Sequence, residues 1–499
     1  MNRYPIKTPI REIGELTMSD DNKMIEEFKS YGYADDILPI PQEKRDWGMF
    51  NYITVWMGPV HNIMSYMTVA GFFVLGLNVT QVFWAVMLSA LIVSAGYALN
   101  GIAAAKYGIP FAMLLRDSFG VKGSIIPALS RGLISGLVFF GTTTVVGAQA
   151  FNVIFTRIFP DYMSWGGGFN LFGLDFPTML SYIILWVITV LLFLTGMKAL
   201  SKFSAYSSPI VYVFIIGAAI WGIYVAGGIG PIMDYVPSQP MDNPLVFIAC
   251  VSALVSNWAG PIVNISDFTQ RAKSINAPKW GLPIGFIASY ILFAITSIAL
   301  IAGVEIAFGE QIFNIVDAIG KMGSTFAVII LLLALNLGAT AFVVFGNLQP
   351  AGLQMTALFP KLFTVKSAGI LTAVIGTIIL PWKLVSDTSM LYLFYSFIGS
   401  MYGPIAGIML ASFYIQRKKV LNLRHMYVKP GDNGEFKGGY NKVAMTVLII
   451  SFLIPMSGVV FTNVPLLVTF KDFAFFTGLI ISFILYILFY KKSNAVAQG

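Results

Sequence analysis

Apolar runs long enough to cross a bilayer recur along this chain from about Tyr52 to Tyr490. A hydrocarbon core of roughly 30 Å takes about twenty helical residues to cross. A backbone that crosses it must satisfy its own hydrogen bonds, so a series of such runs admits a helical bundle and little else. About twelve runs are readable, centred near Tyr66, Leu88, Leu137, Leu185, Ile215, Val255, Tyr290, Leu332, Ile375, Gly407, Ile450 and Ile480. Composition agrees: 57% of residues are hydrophobic, 11% are charged and the mean hydropathy is +0.78, which excludes an ordinary soluble domain. The expectation is an all-α membrane protein, with an amphipathic piece at Ala112 to Phe119 resting at the interface. The charged opening MNRYPIKTPIREIGELTMSDDNKMIEE lacks the apolar segment of a cleaved signal peptide.

Lysine and arginine gather in alternate loops, KYGIPFAMLLRDSFGVKGS, KALSK, RAKSINAPK, PKLFTVK and QRKKVLNLRHMYVK, whereas GGIGPIMDYVPSQPMDNP and FTNVPLL carry almost none. By the positive-inside rule both termini are expected in the cytoplasm, as in a multi-pass plasma-membrane protein. The net charge of +8 is largely this bias, and no basic patch interleaved with aromatics points to nucleic acid. The single cysteine, Cys250, lies in an apolar run and excludes a disulfide framework. Asn-Val-Thr at Asn78 has the form of a glycosylation acceptor, but in a very short loop it reads as a chance match. Arg131, near the start of the third run, is expected to snorkel to the interface without a functional role.

Two apolar runs carry near copies of one heptapeptide, WMGPVHN at Trp56 to Asn62 and WAGPIVN at Trp258 to Asn264. Glycine frees the backbone and proline removes a helical hydrogen bond, so Gly58-Pro59 and Gly260-Pro261 are expected to unwind helices one and six near mid-membrane. A lone Gly-Pro would be an ordinary kink. Matching breaks in helices that run in opposite directions are what an inverted repeat requires, and they point to a transporter site. Broken helices offer free carbonyls and N–H groups without formal charge. Acidic residues are nearly absent from the runs, so carbonyl and hydroxyl oxygens are the expected holders of a coupling cation. His61 lies at the first break, either as a proton carrier or as a neutral ring bonded to a freed carbonyl.

The run NWAGPIVNISDFTQRAKS, Asn257 to Ser274, resembles the helix-six signature of nucleobase-cation symporter family 1, the permeases for hydantoin, allantoin, uracil and cytosine. ILPIPQEKRDWGMFNYITVWMG, KYGIPFAMLLRDSFGVKGS, LPWKL and GPIAGI extend the resemblance over most of Ile37 to Lys418. It implies about twelve transmembrane helices in the five-plus-five inverted repeat of the leucine-transporter type, with two extra helices at the C-terminus. The corresponding parts are a cytoplasmic segment 1–50, repeats 51–228 and 243–418, a cytoplasmic loop 419–439, helices eleven and twelve over 440–491, and a tail 492–499.

The resemblance also implies a site. A flat heterocycle would be held between rings on helices six and three, matching Trp258 and Phe139, with Gly260 lining the break. Indole gives a broad π-face and an N–H handle for such a ring. The chain has one extra residue between Pro127 and Gly141, and Thr143 stands where the family pattern has glutamine, so the edge contact of hydantoin-like members is changed. Asn62 is the candidate for reading the ring edge. On helix eight Gly346 takes the place of the family's asparagine, so either the helix carries a local shift or the contact is lost, leaving Asn347 and Gln349 as candidates. A sodium site would use carbonyls of Gly58 and His61 with the hydroxyl of Thr340; Ala339 lacks the second hydroxyl, which leaves sodium and proton coupling both open. Asn264 and Asp267 are read as gating residues.

The function expected is import of a nucleobase or related planar heterocycle (allantoin, hydantoin, uracil, cytosine or purine type) by cation symport with alternating access. The chain would act as a monomer in the lipid bilayer, with no cofactor other than Na+ or H+. The alternative is a proton-coupled carrier of the same fold for thiamine or another vitamin. A channel and an intramembrane enzyme are less favoured: two asymmetric breaks in one chain suit a single site, and only His61 and His425, no HExxH, no Gly-x-Ser-x-Gly and no Walker loop are present.

Overall fold

The computed structural model describes residues 18–385 and 388–498, so the first seventeen residues of the expected N-terminal segment and the last residue of the tail lie outside the described residues. Helix one is assembled from Met49–Thr54, Met57–Val60 and Ile63–Val74. Helix two is Val79–Tyr107, helix three Ile125–Ile158, helix four Phe176–Leu194 and helix five Met197–Val225. Helix six is Pro244–Asn257 followed by Ala259–Thr269, helix seven Asn276–Phe308, helix eight Thr325–Leu358 and helix nine Val365–Ile378. Thr388–Gln416 is helix ten, Lys442–Val460 helix eleven and Ala474–Gln498 helix twelve.

Among the described residues eight helices are long and apolar enough to span a membrane alone, and ten if two bent pairs each count as one. The two remaining runs of the expected twelve are helix one, broken into pieces, and helix nine, with 14 residues. Short polar residues set the starts. Asn78 and Gln81 form a reciprocal capping box before helix two, Asp175 caps helix four ahead of Pro177, and Asn441 caps helix eleven. Helix two ends on Gly108, whose φ of 70° is cheap only for glycine.

Three of the loops rich in lysine and arginine, 106–124, 271–279 and 416–429, meet the N-terminal segment on one side, here called the basic face. There Phe28 stacks on Tyr427 at 4.5 Å, the Tyr427 hydroxyl donates to the Ile37 carbonyl, and Trp47 pairs with the chain beyond helix six at Ala272. Arg45 donates to the carbonyls of Ile40 and Ala105, fastening residues 40–47 to the end of helix two. The short amphipathic helix is present as Phe111–Phe119, but it is buried within protein rather than laid on an interface. Its apolar side chains are covered by helix eight, helix eleven and the 423–426 turn, and its Asp117 pairs with Arg417 at 3.0 Å. Burial pushes that carboxyl up to about 6, against the pull of Arg417 and of a hydrogen bond from Ser412.

Candidate functional site

The repeated heptapeptide builds the same backbone feature twice. Trp56 has φ −101°, ψ −3° and Trp258 has φ −101°, ψ 3°, and each tryptophan precedes a short helical piece, Met57–Val60 or Ala259–Asn264. The expected unwinding at the Gly-Pro pairs is therefore displaced upstream. Pro59 and Pro261 sit in the first turn of a new helical piece, where a missing N–H leaves nothing unpaired, and the discontinuity falls on the preceding tryptophan. At the end of the motif the two differ. His61 (ψ 54°) and the extended Asn62 interrupt helix one a second time, whereas helix six bends by 51° and continues.

Trp258 is fully buried at the centre of an aromatic cluster: Phe286 lies 5.1 Å away, Phe342 5.4 Å, Trp56 5.6 Å and Tyr290 6.3 Å, all edge to face. Phe139 and Trp258 do not face each other across an open gap. The ring of Phe342 from helix eight packs against both, 6.1 Å from Phe139 at 78° and 5.4 Å from Trp258 at 74°. Trp56 buries an indole N–H that meets no acceptor, and the hydroxyls of Tyr97 and Thr143 are likewise buried without a hydrogen-bond partner; the indole N–H of Trp258 has only the Tyr290 hydroxyl beside it. Such orphaned groups cost free energy unless a ligand or water satisfies them.

Helices three and eight are not regular α-helix throughout. A π-helical turn spans Ser130–Ser135 and another spans Val344–Leu348. Each widens the helix by a residue. The first lies upstream of Phe139 and the second contains Asn347, the two stretches whose register the sequence left open. Asn347 is buried with its amide near the Phe342 carbonyl at 3.5 Å, while Gln349 is only half-buried. Asn62 is spent locally: it accepts from the Ser65 N–H at 3.0 Å and donates to the Pro59 carbonyl and the Ser65 hydroxyl at 2.7 and 2.9 Å, capping Ile63–Val74.

The carbonyls of Gly58 and His61 converge on helix eight. A Cβ at Gly338 would stand 2.5 Å from the His61 oxygen and 3.1 Å from that of Gly58. Thr340 follows two residues on, buried. The imidazole of His61 bonds through Nδ1 to the Tyr66 hydroxyl at 2.9 Å, and Tyr66 bonds to Thr296 at 3.0 Å; Nε2 has no partner. No three His, Cys, Asp or Glu residues gather into a metal-binding group among the described residues.

Arg131 does not snorkel. It is 0% exposed, its Nε donates to Asn264 Oδ1 at 3.0 Å, and its Nη2 donates to the Gly346 carbonyl. An arginine snorkels when its stem can reach water; here the head meets acceptors from helices six and eight instead. Asn264 also donates to Asp267 at 2.9 Å, and that carboxylate accepts from the Phe111 N–H at 2.8 Å and from Gln354 at 3.1 Å. Sequence reasoning missed Arg131, Gln354 and Phe342, and noted Trp56 without giving it a role. The heptapeptide held a signal for Trp56, which stands where Trp258 stands.

Discontinuous apolar helices, meeting around a buried aromatic site with polar groups left for a guest, define a membrane transporter rather than a catalyst. The family of permeases for cytosine/purines, uracil, thiamine and allantoin matches residues 39–484, and the chain belongs to it. It is 37% identical to a putative allantoin permease of Escherichia coli (strain K12), over 95% of this chain and 97% of that one. It is 33% identical to the allantoin permease of Bacillus subtilis (strain 168), over 91% and 92% of the two chains. The fold is shared with Mhp1, a nucleobase-cation-symport-1 family transporter solved in a closed conformation with bromovinylhydantoin bound: TM-score 0.77, 22% identity, 92% of this chain and 95% of that one. The five-plus-five membrane fold expected from sequence is thus the fold of the chain.

Proposed function

We propose that the protein imports an uncharged planar heterocycle of the allantoin or hydantoin type, by cation symport, with the ring stacked on Trp258 at the helix-six break. The observation that carries this is the buried aromatic cluster, in which Trp258 and Phe139 are kept apart by Phe342 and buried donors lack acceptors. A ring rich in carbonyl groups would satisfy those donors, and Phe342 would turn aside to admit it or serve as the second stacking face. Thr143, Gly260 and Asn347 would line its edge, with Gln349 at the margin; Asn62 would join them only by giving up its cap. The two allantoin permease relatives favour a ureide. Thiamine, which the family description also names, is the alternative.

The coupling cation in this reading sits between the carbonyls of Gly58 and His61 and helix eight, with Thr340 as the hydroxyl ligand. Hard oxygens converging without carboxylates suit sodium. A specific observation favours a second reading: the His61–Tyr66–Thr296 chain can carry a proton, and Ala339 offers no second hydroxyl. In either case two five-helix halves, 51–228 and 243–418, alternate access around one central site. The basic face lies in the cytoplasm with both termini, in the plasma membrane, and the chain works as a monomer. Asn264 and Asp267 act at the gate toward the basic face.

The test is tryptophan quenching of purified protein by allantoin, a benzylated hydantoin, uracil, cytosine, adenine, hypoxanthine and thiamine, each in sodium and in choline buffer. Saturable quenching by one planar ligand, lost in Trp258→Ala, is expected. Sodium-dependent affinity supports the Thr340 site, and sodium-independent, pH-dependent affinity supports His61. Failure of every ligand would sink the substrate assignment.

A further inference from the structure

A fully buried arginine in a membrane bundle persists only where partners hold it. Arg131 is held by Asn264 of helix six and by the carbonyl of Gly346 in the widened turn of helix eight. Asn264 passes the connection to Asp267, which also binds Gln354 of helix eight and the N-terminus of Phe111–Phe119. One cation and one carboxylate, joined through an amide, therefore tie the part of helix six beyond its break to three other elements. All of these bonds lie between Trp258 and the basic face. The same guanidinium borders the site: a Cβ at Gly260 would come within 3.1 to 3.4 Å of its atoms.

We propose that Arg131 is the latch of the gate on the basic face. It is a positioning residue that holds helix six against helices three and eight, and it senses occupancy because a guest at Gly260 presses on the guanidinium. The inference rests on the alternating-access reading above. Release toward the basic face requires the end of helix six to leave helices three and eight, and the bonds that must break are those of Arg131, Asn264, Asp267 and Gln354. The opposite face has a separate fastening, Arg157 to the carbonyls of Gly320 and Met322 at 2.7 and 2.9 Å, which serves as an internal control.

Cys250 is the only cysteine and is buried, so the experiment starts from full-length Cys250→Ala carrying Ser266→Cys. Ser266 adjoins Asp267 and is buried with its hydroxyl unpaired, which makes it a mild reporter site. The rate of maleimide labelling is measured in nanodiscs. Arg131→Met and Asn264→Ala are each expected to raise it about tenfold or more, Arg131→Lys by less, and Arg157→Gln not at all. Should Arg131→Met fail to fold, Asn264→Ala decides, because it opens the latch without removing the charge. Unchanged labelling overturns the proposal. So does an equal rise with Arg157→Gln, which would mean general loosening, and so does a loss of ligand quenching in Arg131→Lys without faster labelling, which would make Arg131 a substrate ligand. Ligand uptake by the unaltered chain is measured alongside: no uptake together with faster labelling in the variants sinks the substrate reading and leaves the latch standing.

Discussion

The two breaks begin alike and end differently. Trp56 and Trp258 leave helical geometry with the same backbone angles, and in both segments the proline opens a new helical turn. Helix one then breaks again at His61 and needs Asn62 to cap the piece Ile63–Val74, while helix six bends and runs on to Asn264. Gly-Pro thus dictates where a helix is interrupted, and the next three residues dictate whether it restarts. The chemistry follows the backbone. Helix one turns neutral carbonyls toward helix eight, as suits a cation, and an imidazole toward helices five and seven, whereas helix six turns an aromatic face to the centre and an amide and a carboxylate toward Arg131.

The sharpest way to break this comparison is to remove one tryptophan at a time. Stacking of a base on an aromatic side chain is worth roughly 1–3 kcal/mol by alanine substitution, so Trp258→Ala is expected to weaken ligand affinity about ten- to a hundredfold. Trp56 stacks on Tyr97 at 5.8 Å and packs edge-on against Phe268 at 5.3 Å. Trp56→Ala should therefore lower thermal stability more than affinity. Equal losses of affinity would show that both breaks face the ligand.

The next effect concerns the cation. Gly338→Ala places a methyl 2.5 Å from the His61 carbonyl, a backbone atom that cannot step aside without moving helix one. Sodium dependence of binding is expected to vanish in this variant while quenching at saturating ligand is retained. Persistent sodium dependence would remove the carbonyls of Gly58 and His61 from the cation site.

Much of this could be read from the sequence, because the constraints are local. Hydrophobic run length gives the spans, the heptapeptide gives the two interruptions, and the basic loops give one face. Proline also misled by a few residues, since its effect is felt at the carbonyl it fails to bond, upstream of itself. Arg131 could not be placed because its acceptors come from Asn264 and Gly346, more than a hundred residues away. Phe342 was hidden for a similar reason: a phenylalanine in an apolar run is packing until its neighbours are known, and these are Phe139 and Trp258. The register of helices three and eight stayed open because a mismatch in a sequence pattern does not say where along a helix an extra residue is taken up.

Asn62 separates local structure from recognition. If it is a cap, Asn62→Ala costs about 1 kcal/mol of stability, seen as a lower unfolding temperature, and Asn62→Ser recovers most of it with affinity changed little. Lost affinity at unchanged stability would return Asn62 to the ring edge. Helix six supplies the control, since no residue caps a restart there and the corresponding amide, Asn264, is engaged by Arg131 and Asp267.

The smallest effect is expected at one glycine of the motif, Gly260. A methyl at Gly58 would meet the Ser208 hydroxyl at 2.8 Å, whereas at Gly260 it would meet the Arg131 guanidinium at 3.1 Å or more. The second clash is with the far end of a long side chain, which has to give by only a few tenths of an ångström. Gly260→Ala is therefore expected to fold with near-normal stability and to change affinity by no more than about fivefold, roughly 1 kcal/mol. It should also quicken labelling at Ser266→Cys modestly, because the displaced guanidinium aligns less well with Asn264 and Gly346. Normal affinity with unchanged labelling would mean that the guanidinium does not report on the space at Gly260, and the two breaks would then differ in what they bind without differing in what they signal.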